Sequence, residues 1–354
     1  MSRFASNLIN CLSPYVPGEQ PKGKSFIKLN TNENPYFTSI AAVKSVEESL
    51  LYNLNRYSDP ESLELTKTIA DYYGVGEENV LVTNGSDEAL AFAFFAYGGC
   101  GVCFPDVTYG FYGVIANLFG CNVKQIPLKK DFTVDINEFF KAERTVVLAN
   151  PNAQTGIELG KDNIEKIISN NLRNIVILDQ AYADFGNYNA IGLTKKYDNL
   201  IVVNTFSKSR SLAGARVGYV IANSNLIADL KKVKNSFHPY NVNSVSAALA
   251  KEAIRDDGYF KVSLNKIKNS RRYLAKKLEE TGFYVLPSAA NFILAKHEAI
   301  KGEELYLKLK EKGVLVRHFT DERIKDFVRI TVGTDEEIEI LLKKITEILK
   351  ENAK

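Results

Sequence analysis

Three short runs of apolar residues constrain the fold of this chain more than any other feature. They cover residues 145–149 (TVVLA), 174–178 (NIVIL) and 200–204 (LIVVN), and none alternates between apolar and polar side chains. A strand that is apolar at nearly every position is buried on both faces, which is typical of a mainly parallel sheet between two layers of helices. Helical stretches lie between such runs from about residue 60 to residue 250, as parallel connections require.

The remaining segments give the domain organisation. The other predicted strands of this part are residues 79–83, 101–104, 122–126 and 216–221, and the predicted helices are residues 62–73, 87–97, 109–118 and 161–170. One long helical region, 243–281, precedes a mixed set of strands and helices, which indicates a smaller α+β domain. We therefore predict an irregular arm (1–29), a large α/β domain (30–245) and a small C-terminal domain (246–354) in this chain of 354 residues.

Composition argues against several classes of function. The net charge is only +3, so no basic field indicates a nucleic-acid partner. No run of about 18 apolar residues and no secretory signal is present, and we expect a cytoplasmic protein with no membrane contact. Cys100 and Cys103 form a C-x-x-C pair, but the three histidines lie far away in sequence. We therefore expect reduced structural cysteines and no metal site.

A glycine turn follows the strand at residues 79–83. Gly85 permits a tight turn, and Ser86 or Asp87 can cap the helix that comes next. Free N–H groups at the start of a helix bind anions such as phosphate. Taken alone, the pattern is weak and favours an ordinary capped helix over an anion site.

Two further strand ends carry polar side chains that suit a cofactor. Asp179 follows the strand at 174–178, and a carboxylate there needs a cation or hydrogen-bond donor, which could be a protonated ring nitrogen or simply loop amides. Lys208 follows the strand at 200–204, among small hydroxyl residues and glycine, with Arg210 and Arg216 nearby. Neighbouring cations and partial burial make a lysine amine nucleophilic, whereas a surface lysine would be the ordinary alternative.

Together these roles match what pyridoxal 5′-phosphate needs from a protein, since the carboxyl ends of parallel strands meet at one edge of the sheet. The sequence then resembles the fold-type I aminotransferases over its whole length, and among them the histidinol-phosphate aminotransferases. The motifs that carry the resemblance are Ser13-Pro14-Tyr15, Leu29-Asn30-Thr31-Asn32-Glu33-Asn34-Pro35, Arg56-Tyr57-Ser58-Asp59-Pro60, Gly85-Ser86-Asp87-Glu88, Pro105 with Tyr109, Asp179 with Ala181-Tyr182, Ser207-Lys208 with Leu212-Ala213-Gly214 and Arg216, and Arg329-Ile330-Thr331-Val332-Gly333-Thr334.

The resemblance implies a role for each matching residue. Lys208 would hold the cofactor as a Schiff base and move protons, Asp179 would pair with the ring nitrogen, and Tyr182 would donate to the ring oxygen. Tyr109 would stack on the ring. The phosphate would be bound by Gly85, Ser86, Asp87, Thr205, Ser207 and Arg216, and by Tyr57 of a second subunit in a homodimer with shared active sites.

The resemblance also implies the substrates. Arg317 and Arg329 would bind the phosphate of a phosphorylated amino alcohol, with Tyr15 and Asn34 around the same pocket, and a 2-oxo acid would accept the amino group. A threonine-phosphate decarboxylase or an aromatic or broad-range aminotransferase would use the same cofactor residues, so these alternatives stay open. A non-catalytic binding module is disfavoured because Lys208 and Asp179 are both present.

Two positions depart from the family pattern. The family often has N-P-N-N-P-T-G where this chain has Asn150-Pro151-Asn152-Ala153-Gln154-Thr155-Gly156, so the asparagine expected near the cofactor ring oxygen is replaced by Ala153. Either Asn152 takes over this contact or Tyr182 makes it alone. Gln180 replaces a common glutamate, and we expect no cofactor contact from it.

Overall fold

The computed structural model describes residues 2–5, 9, 12–20 and 26–352. Its strands are β1 (Ile27–Lys28), β2 (Val80–Thr83), β3 (Val102–Pro105), β4 (Val123–Ile126), β5 (Thr145–Ala149), β6 (Val176–Asp179), β7 (Leu200–Thr205), β8 (Gly218–Ala222), β9 (Phe283–Val285), β10 (Phe292–His297), β11 (Val314–Leu315), β12 (Arg317–His318) and β13 (Val328–Thr331). Its α-helices are α1 (Ile40–Lys44), α2 (Glu48–Tyr52), α3 (Leu63–Tyr73), α4 (Gly85–Tyr97), α5 (Phe111–Leu118), α6 (Lys161–Ser169), α7 (Ser224–Phe237), α8 (Ser244–Arg255), α9 (Asp257–Glu280), α10 (Gly302–Glu311) and α11 (Asp335–Asn352).

The central sheet has seven strands in the order β2-β8-β7-β6-β5-β3-β4. Strand β8 is antiparallel to β2 and β7, and the other described pairings are parallel. The prediction of a mainly parallel seven-stranded sheet between helix layers is confirmed. Asp179 ends β6 in register with Ala149 of β5 and Val203 of β7, so these three strand ends lie side by side.

Alternate residues of the central strands enter two different cores. Val146 and Leu178 pack with Ile167 of α6 on one face of the sheet. Val147 and Ile177 belong to a separate core on the other face, which includes side chains of α4, α5 and α7. Burial on both faces explains why these strands lack the alternation seen in half-exposed sheets.

A second, four-stranded sheet has the order β12-β13-β10-β9, with antiparallel pairings. Together with α9, α10 and α11 it forms a smaller α+β unit with its own core, as predicted. Strand β1 lies in the segment that was expected to be irregular, and it pairs in parallel with β11. Ala250 and Ile254 of α8 pack in a core of the large sheet, while the domain boundaries themselves stay a prediction.

Three local predictions are corrected by the structure. The helical region 243–281 is two helices, because Asp256 leaves helical geometry (ψ 64°) and its carboxylate accepts the Tyr259 N–H to begin α9. Helix α7 was absent from the prediction, although the Asn223 side chain caps it by accepting the Asn225 N–H. Helix α4 begins at Gly85, two residues earlier than predicted, so Ser86 and Asp87 lie in its first turn and do not cap it.

Candidate active site

Lys208 lies in the loop that leaves β7. The start of this loop is fixed by Thr205, whose hydroxyl accepts the Ser207 N–H at 3.1 Å and donates to the Ser207 Oγ at 3.0 Å. The Lys208 amine donates to the Thr31 carbonyl at 3.4 Å and lies 5.7 Å from the centre of the Tyr182 ring. The partly exposed amine therefore faces the space between the sheet and the segment that follows β1.

The same segment holds the backbone of the lysine loop. The Asn34 carboxamide donates to the carbonyls of Lys208 (3.1 Å) and Ser209 (3.2 Å), and its oxygen accepts the Tyr36 N–H at 3.0 Å. These bonds fix the position of the amine along the cleft. Contact of Asn34 with the substrate stays a prediction.

Asp179 is a buried carboxylate with one protein donor to each of its oxygens. Tyr112, itself fully buried, donates its hydroxyl proton to Oδ2 at 2.8 Å, and the Ala181 N–H donates to Oδ1 at 3.1 Å. Burial raises the pKa of Asp179 to about 6, and these two hydrogen bonds together with the Lys208 charge oppose that rise. The carboxylate is thus oriented before any ligand arrives.

The N-terminus of α4 meets Arg216 in a close approach that requires glycine. Gly85 has φ 76°, and a Cβ on it would lie 2.5 Å from Nη2 of Arg216. A Cβ on Gly218 would lie 2.5 Å from the carbonyl carbon of Gly85. The Asn84 side chain makes no capping bond to this helix, so the N–H groups of its first turn are suited to an anion.

Arg216 and Asp87 form an ion pair beside this helix end. Arg216 Nη2 lies 3.2 Å from Asp87 Oδ2, and Nη1 donates to the Ser207 hydroxyl at 3.4 Å. The other carboxylate oxygen of Asp87 accepts the Tyr109 hydroxyl proton at 3.0 Å. The structure therefore brings Tyr109, Asp87, Arg216 and Ser207 together around the first turn of α4.

Asn152 uses both ends of its carboxamide within its own loop. Its nitrogen donates to the Val107 carbonyl at 2.9 Å, and its oxygen accepts the N–H groups of Gln154 (2.9 Å) and Thr155 (3.0 Å). A cofactor contact from Asn152 stays a prediction, with these bonds competing against it.

Two arginines lie opposite each other on neighbouring strands. Arg317 of β12 is the register partner of Arg329 of β13. Arg329 donates to the Ala153 carbonyl (2.9 Å) and to Gln154 Oε1 (3.2 Å), while its Nε has no partner among the described residues. Burial lowers the pKa of Arg329, with the neighbouring Arg317 charge acting in the same direction. Like charges at opposed positions are unfavourable, so this arrangement is suited to an anion.

Tyr15 closes the arginine end of the cleft. Its ring makes an edge contact with Tyr109 at 6.0 Å between centroids, and burial raises the pKa of its hydroxyl against the opposing charges of Arg329 and Arg317. Arg317 donates to the carbonyl of Val16 at 3.2 Å, so the residues after Tyr15 are tied to β12. Tyr57 behaves differently, since it stacks on Tyr240 at 4.5 Å with 83% of its surface exposed.

Residues 24–345 match the family model described as aminotransferase class I and II. The chain belongs to this family.

Individual proteins that are similar to this chain match almost its entire length. The histidinol-phosphate aminotransferase of Brachyspira hyodysenteriae is 49% identical over 353 residues, covering 99% of this chain and 100% of that protein. That of Clostridium botulinum strain Kyoto is 43% identical and covers 99% of both chains. The solved histidinol-phosphate aminotransferase of Sinorhizobium meliloti, in complex with pyridoxal-5′-phosphate, has a TM-score of 0.90 and covers 99% of both chains; at 22% identity it shows a shared fold.

Two residues of this aminotransferase site were missed by sequence reasoning. Tyr112 is predicted only as part of a helix at 109–118, although its ring and that of Tyr109 both pack in the core on one face of the central sheet. Asn32 was quoted only within a motif, yet its carboxamide nitrogen donates to the Tyr182 hydroxyl at 2.9 Å. Neither contact could be read from the sequence, because the partners are far apart along the chain.

The sequence predictions also concerned the cysteines, possible metal ligands and helix hydropathy. Cys100 is exposed, while Cys103 is buried with its pKa raised to about 11, and Cys11 lies outside the described residues. The described part of the chain contains no group of three or more His, Cys, Asp or Glu side chains arranged to hold a metal ion. None of its described helices is long and apolar enough to cross a membrane.

Proposed function

We propose that this protein is a pyridoxal 5′-phosphate-dependent histidinol-phosphate aminotransferase of histidine biosynthesis. It would convert L-histidinol phosphate and 2-oxoglutarate, reversibly, into imidazole-acetol phosphate and L-glutamate. The observation that carries the proposal is the full-length identity of 49% to a relative of that name. The contacts around Lys208, Asp179 and Arg329 support it chemically.

The residues of the cleft fit the cofactor. Asp179 is a buried carboxylate for a protonated ring nitrogen, and the uncapped α4 with Arg216 suits a phosphate dianion. Lys208 presents an amine between these two sites. When bound, pyridoxal phosphate supplies an aldehyde that captures amines and a ring that withdraws electrons from the adjacent carbon.

The chain's own groups would then do three things. Asp179 holds its charge next to the ring nitrogen, with Tyr112 fixing its orientation. Lys208 would hold the cofactor through its side-chain amine and, once that amine is free, would move a proton to and from the substrate carbon. Tyr182 donates its hydroxyl proton to the ring oxygen. Ala153, which replaces the asparagine of the family pattern, has no side-chain donor for the same oxygen.

The arginine pair supports a phosphorylated substrate. The guanidinium groups of Arg317 and Arg329 lie 5.4 and 5.2 Å from the centre of the Phe319 ring, and Arg329 retains an unpaired Nε among the described residues. A phosphate dianion can accept from both forks, whereas a single carboxylate balances only one of the two charges. Tyr15 would cover the bound substrate from the arm side.

We also propose a homodimer in the cytoplasm with active sites shared between subunits. Apolar side chains are concentrated on the exposed surface between residues 37 and 63. The most exposed of them are Phe37 (92%), Ile40 (71%), Tyr52 (76%), Tyr57 (83%) and Leu63 (57%). Their burial against a second copy would remove this apolar surface from water and bring Tyr57 to the partner's cofactor phosphate.

A half-reaction tests the substrate assignment. The purified protein is loaded with pyridoxal phosphate and mixed with L-histidinol phosphate in the absence of any oxo acid. The absorbance of the cofactor should change stoichiometrically, and 2-oxoglutarate should then restore it with release of one glutamate per site. A parallel sample contains L-threonine O-phosphate instead. Release of carbon dioxide from it, with no response to histidinol phosphate, would show that the protein is a threonine-phosphate decarboxylase and not an aminotransferase for histidinol phosphate.

A further inference from the structure

Asn32 makes hydrogen bonds through its buried side chain to two separate parts of the cleft, Tyr182 and Thr331. It is 1% exposed and has φ 55°, a left-handed conformation that asparagine tolerates better than most residues. Its carboxamide nitrogen donates to the Tyr182 hydroxyl oxygen at 2.9 Å. The carbonyl of the preceding residue, Thr31, accepts from the Lys208 amine at 3.4 Å.

The orientation of this carboxamide is set by Thr331. The Thr331 hydroxyl accepts the backbone N–H of Asn32 at 2.9 Å, so its own proton is free to go to Asn32 Oδ1, which lies at 3.3 Å. The oxygen of the carboxamide is thereby directed to Thr331 and the nitrogen to Tyr182. Asn291 completes the arrangement by donating to the Asn32 carbonyl at 2.9 Å.

A fixed nitrogen donor determines what Tyr182 can do. An amide nitrogen only donates, so the phenol oxygen must act as the acceptor in this bond. The phenol proton of Tyr182 therefore takes no part in the bond with Asn32, and no acceptor for that proton is found among the described residues. A phenol that accepts one hydrogen bond also becomes a better donor in the next one.

We propose that Asn32 is a positioning residue, whose carboxamide holds the phenol oxygen of Tyr182 so that the phenol proton is donated to the ring oxygen of the cofactor. The proposal rests on the proposed function, since it needs pyridoxal phosphate bound at Lys208. In this proposal Asn32 supports Tyr182, the tyrosine donor to the ring oxygen in a chain where Ala153 replaces the asparagine of the family pattern. It also links that donor to β13, the strand that carries Arg329, through Thr331.

The test measures the pH at which the absorbance of bound pyridoxal phosphate is half changed. A donor to the ring oxygen stabilises its negative charge and keeps this midpoint low, so Tyr182→Phe should raise it. Asn32→Gly keeps the left-handed backbone without strain and should raise the midpoint by about 0.5 pH unit or more. In the double variant, Asn32→Gly should add almost nothing to the effect of Tyr182→Phe.

A matched pair at Thr331 provides a second measurement that leaves Asn32 in place. Thr331→Val keeps the shape and removes the hydroxyl that orients the carboxamide, so the midpoint should rise. Thr331→Ser keeps the hydroxyl and should match the wild type. Circular dichroism and thermal unfolding of each variant without cofactor verify the fold.

The outcomes separate the two proposals. If the wild type shows no titrating absorbance with pyridoxal phosphate, the proposed function fails and this inference with it. If Tyr182→Phe raises the midpoint but Asn32→Gly and Thr331→Val do not, the function stands and the role of Asn32 is wrong. Additive shifts in the double variant would also overturn it, because Asn32 would then act by a route other than Tyr182.

Discussion

The two sides of the cleft around Lys208 differ in how completely their polar groups are paired. On the sheet side, both carboxylate oxygens of Asp179 accept protein hydrogen bonds, from Tyr112 and Ala181. On the small-domain side, Arg329 keeps an unpaired Nε among the described residues and faces a second arginine across the strand pair. The protein alone orients the carboxylate on the sheet side, whereas we propose that an anion of the substrate completes the arginine side.

The largest effect is expected from Lys208→Ala. The variant lacks the amine that we propose to bond to the cofactor, and we expect transamination to fall by about 10³-fold or more. Neighbouring groups such as Asp179 and Arg216 keep their contacts, so cofactor should still bind, as measured by equilibrium dialysis. Borohydride treatment and peptide mapping of the wild type should label position 208, and a label elsewhere would contradict the assignment.

Arg329→Gln should weaken the substrate side selectively. Loss of a charged fork is expected to lower kcat/KM for histidinol phosphate by about 10- to 100-fold. Steady-state kinetics give this value, and the Kd for pyridoxal phosphate measured on the same sample should stay near that of the wild type. An equal loss in both quantities would show that the two sides of the cleft are not independent.

The preorganised side should have a measurable stability cost in the protein without cofactor. The folded-state pKa of Asp179 is raised to about 6, from the usual 3.8, so its effect on stability is most favourable below pH 3.8 and is lost as the pH rises to 6. Asp179→Asn removes this titration. Without cofactor, the variant should gain about 2–3 kcal/mol over the wild type at pH 7, and nothing below pH 4. Urea unfolding at both pH values checks the sign, and a constant difference across the range would refute it.

The smallest expected effect belongs to Tyr112→Phe. The variant leaves one oxygen of Asp179 without its donor, and we expect about 10-fold weaker binding of pyridoxal phosphate. Tyr97→Phe is a matched control, because the Tyr97 hydroxyl donates to Asp229 outside the cleft. If both variants bind the cofactor equally well, Tyr112 does not contribute to the preorganisation of Asp179.

The sequence predicted those features that depend on neighbouring residues. The apolar runs at β5, β6 and β7 predicted three buried strands, and the structure has them. Asp179 is the last residue of β6, and Lys208 follows β7, as expected. Strand ends are predictable because parallel strands deliver their carboxyl ends to one edge of the sheet.

Contacts between distant residues could not be predicted in the same way. The pairs Tyr112–Asp179 and Asn32–Tyr182 depend on how α5 and the segment after β1 pack against the sheet, which no local pattern encodes. The predicted start of α4 was two residues too late. Ser86 and Asp87, which the sequence offered as capping residues, lie inside the helix, and the actual cap position, Asn84, makes no side-chain capping bond.

The pairing of β1 with β11 has a consequence for the biosynthesis of the enzyme. Ile27 and Lys28 are translated before the central sheet, but their partners, Val314 and Leu315, are translated after it. The adjacent residues that contact Lys208 and Tyr182 therefore acquire their native neighbours after the central sheet has been synthesised. A chain stalled before residue 314 would contain both the lysine loop and the segment after β1, but β1 would lack the strand with which it pairs.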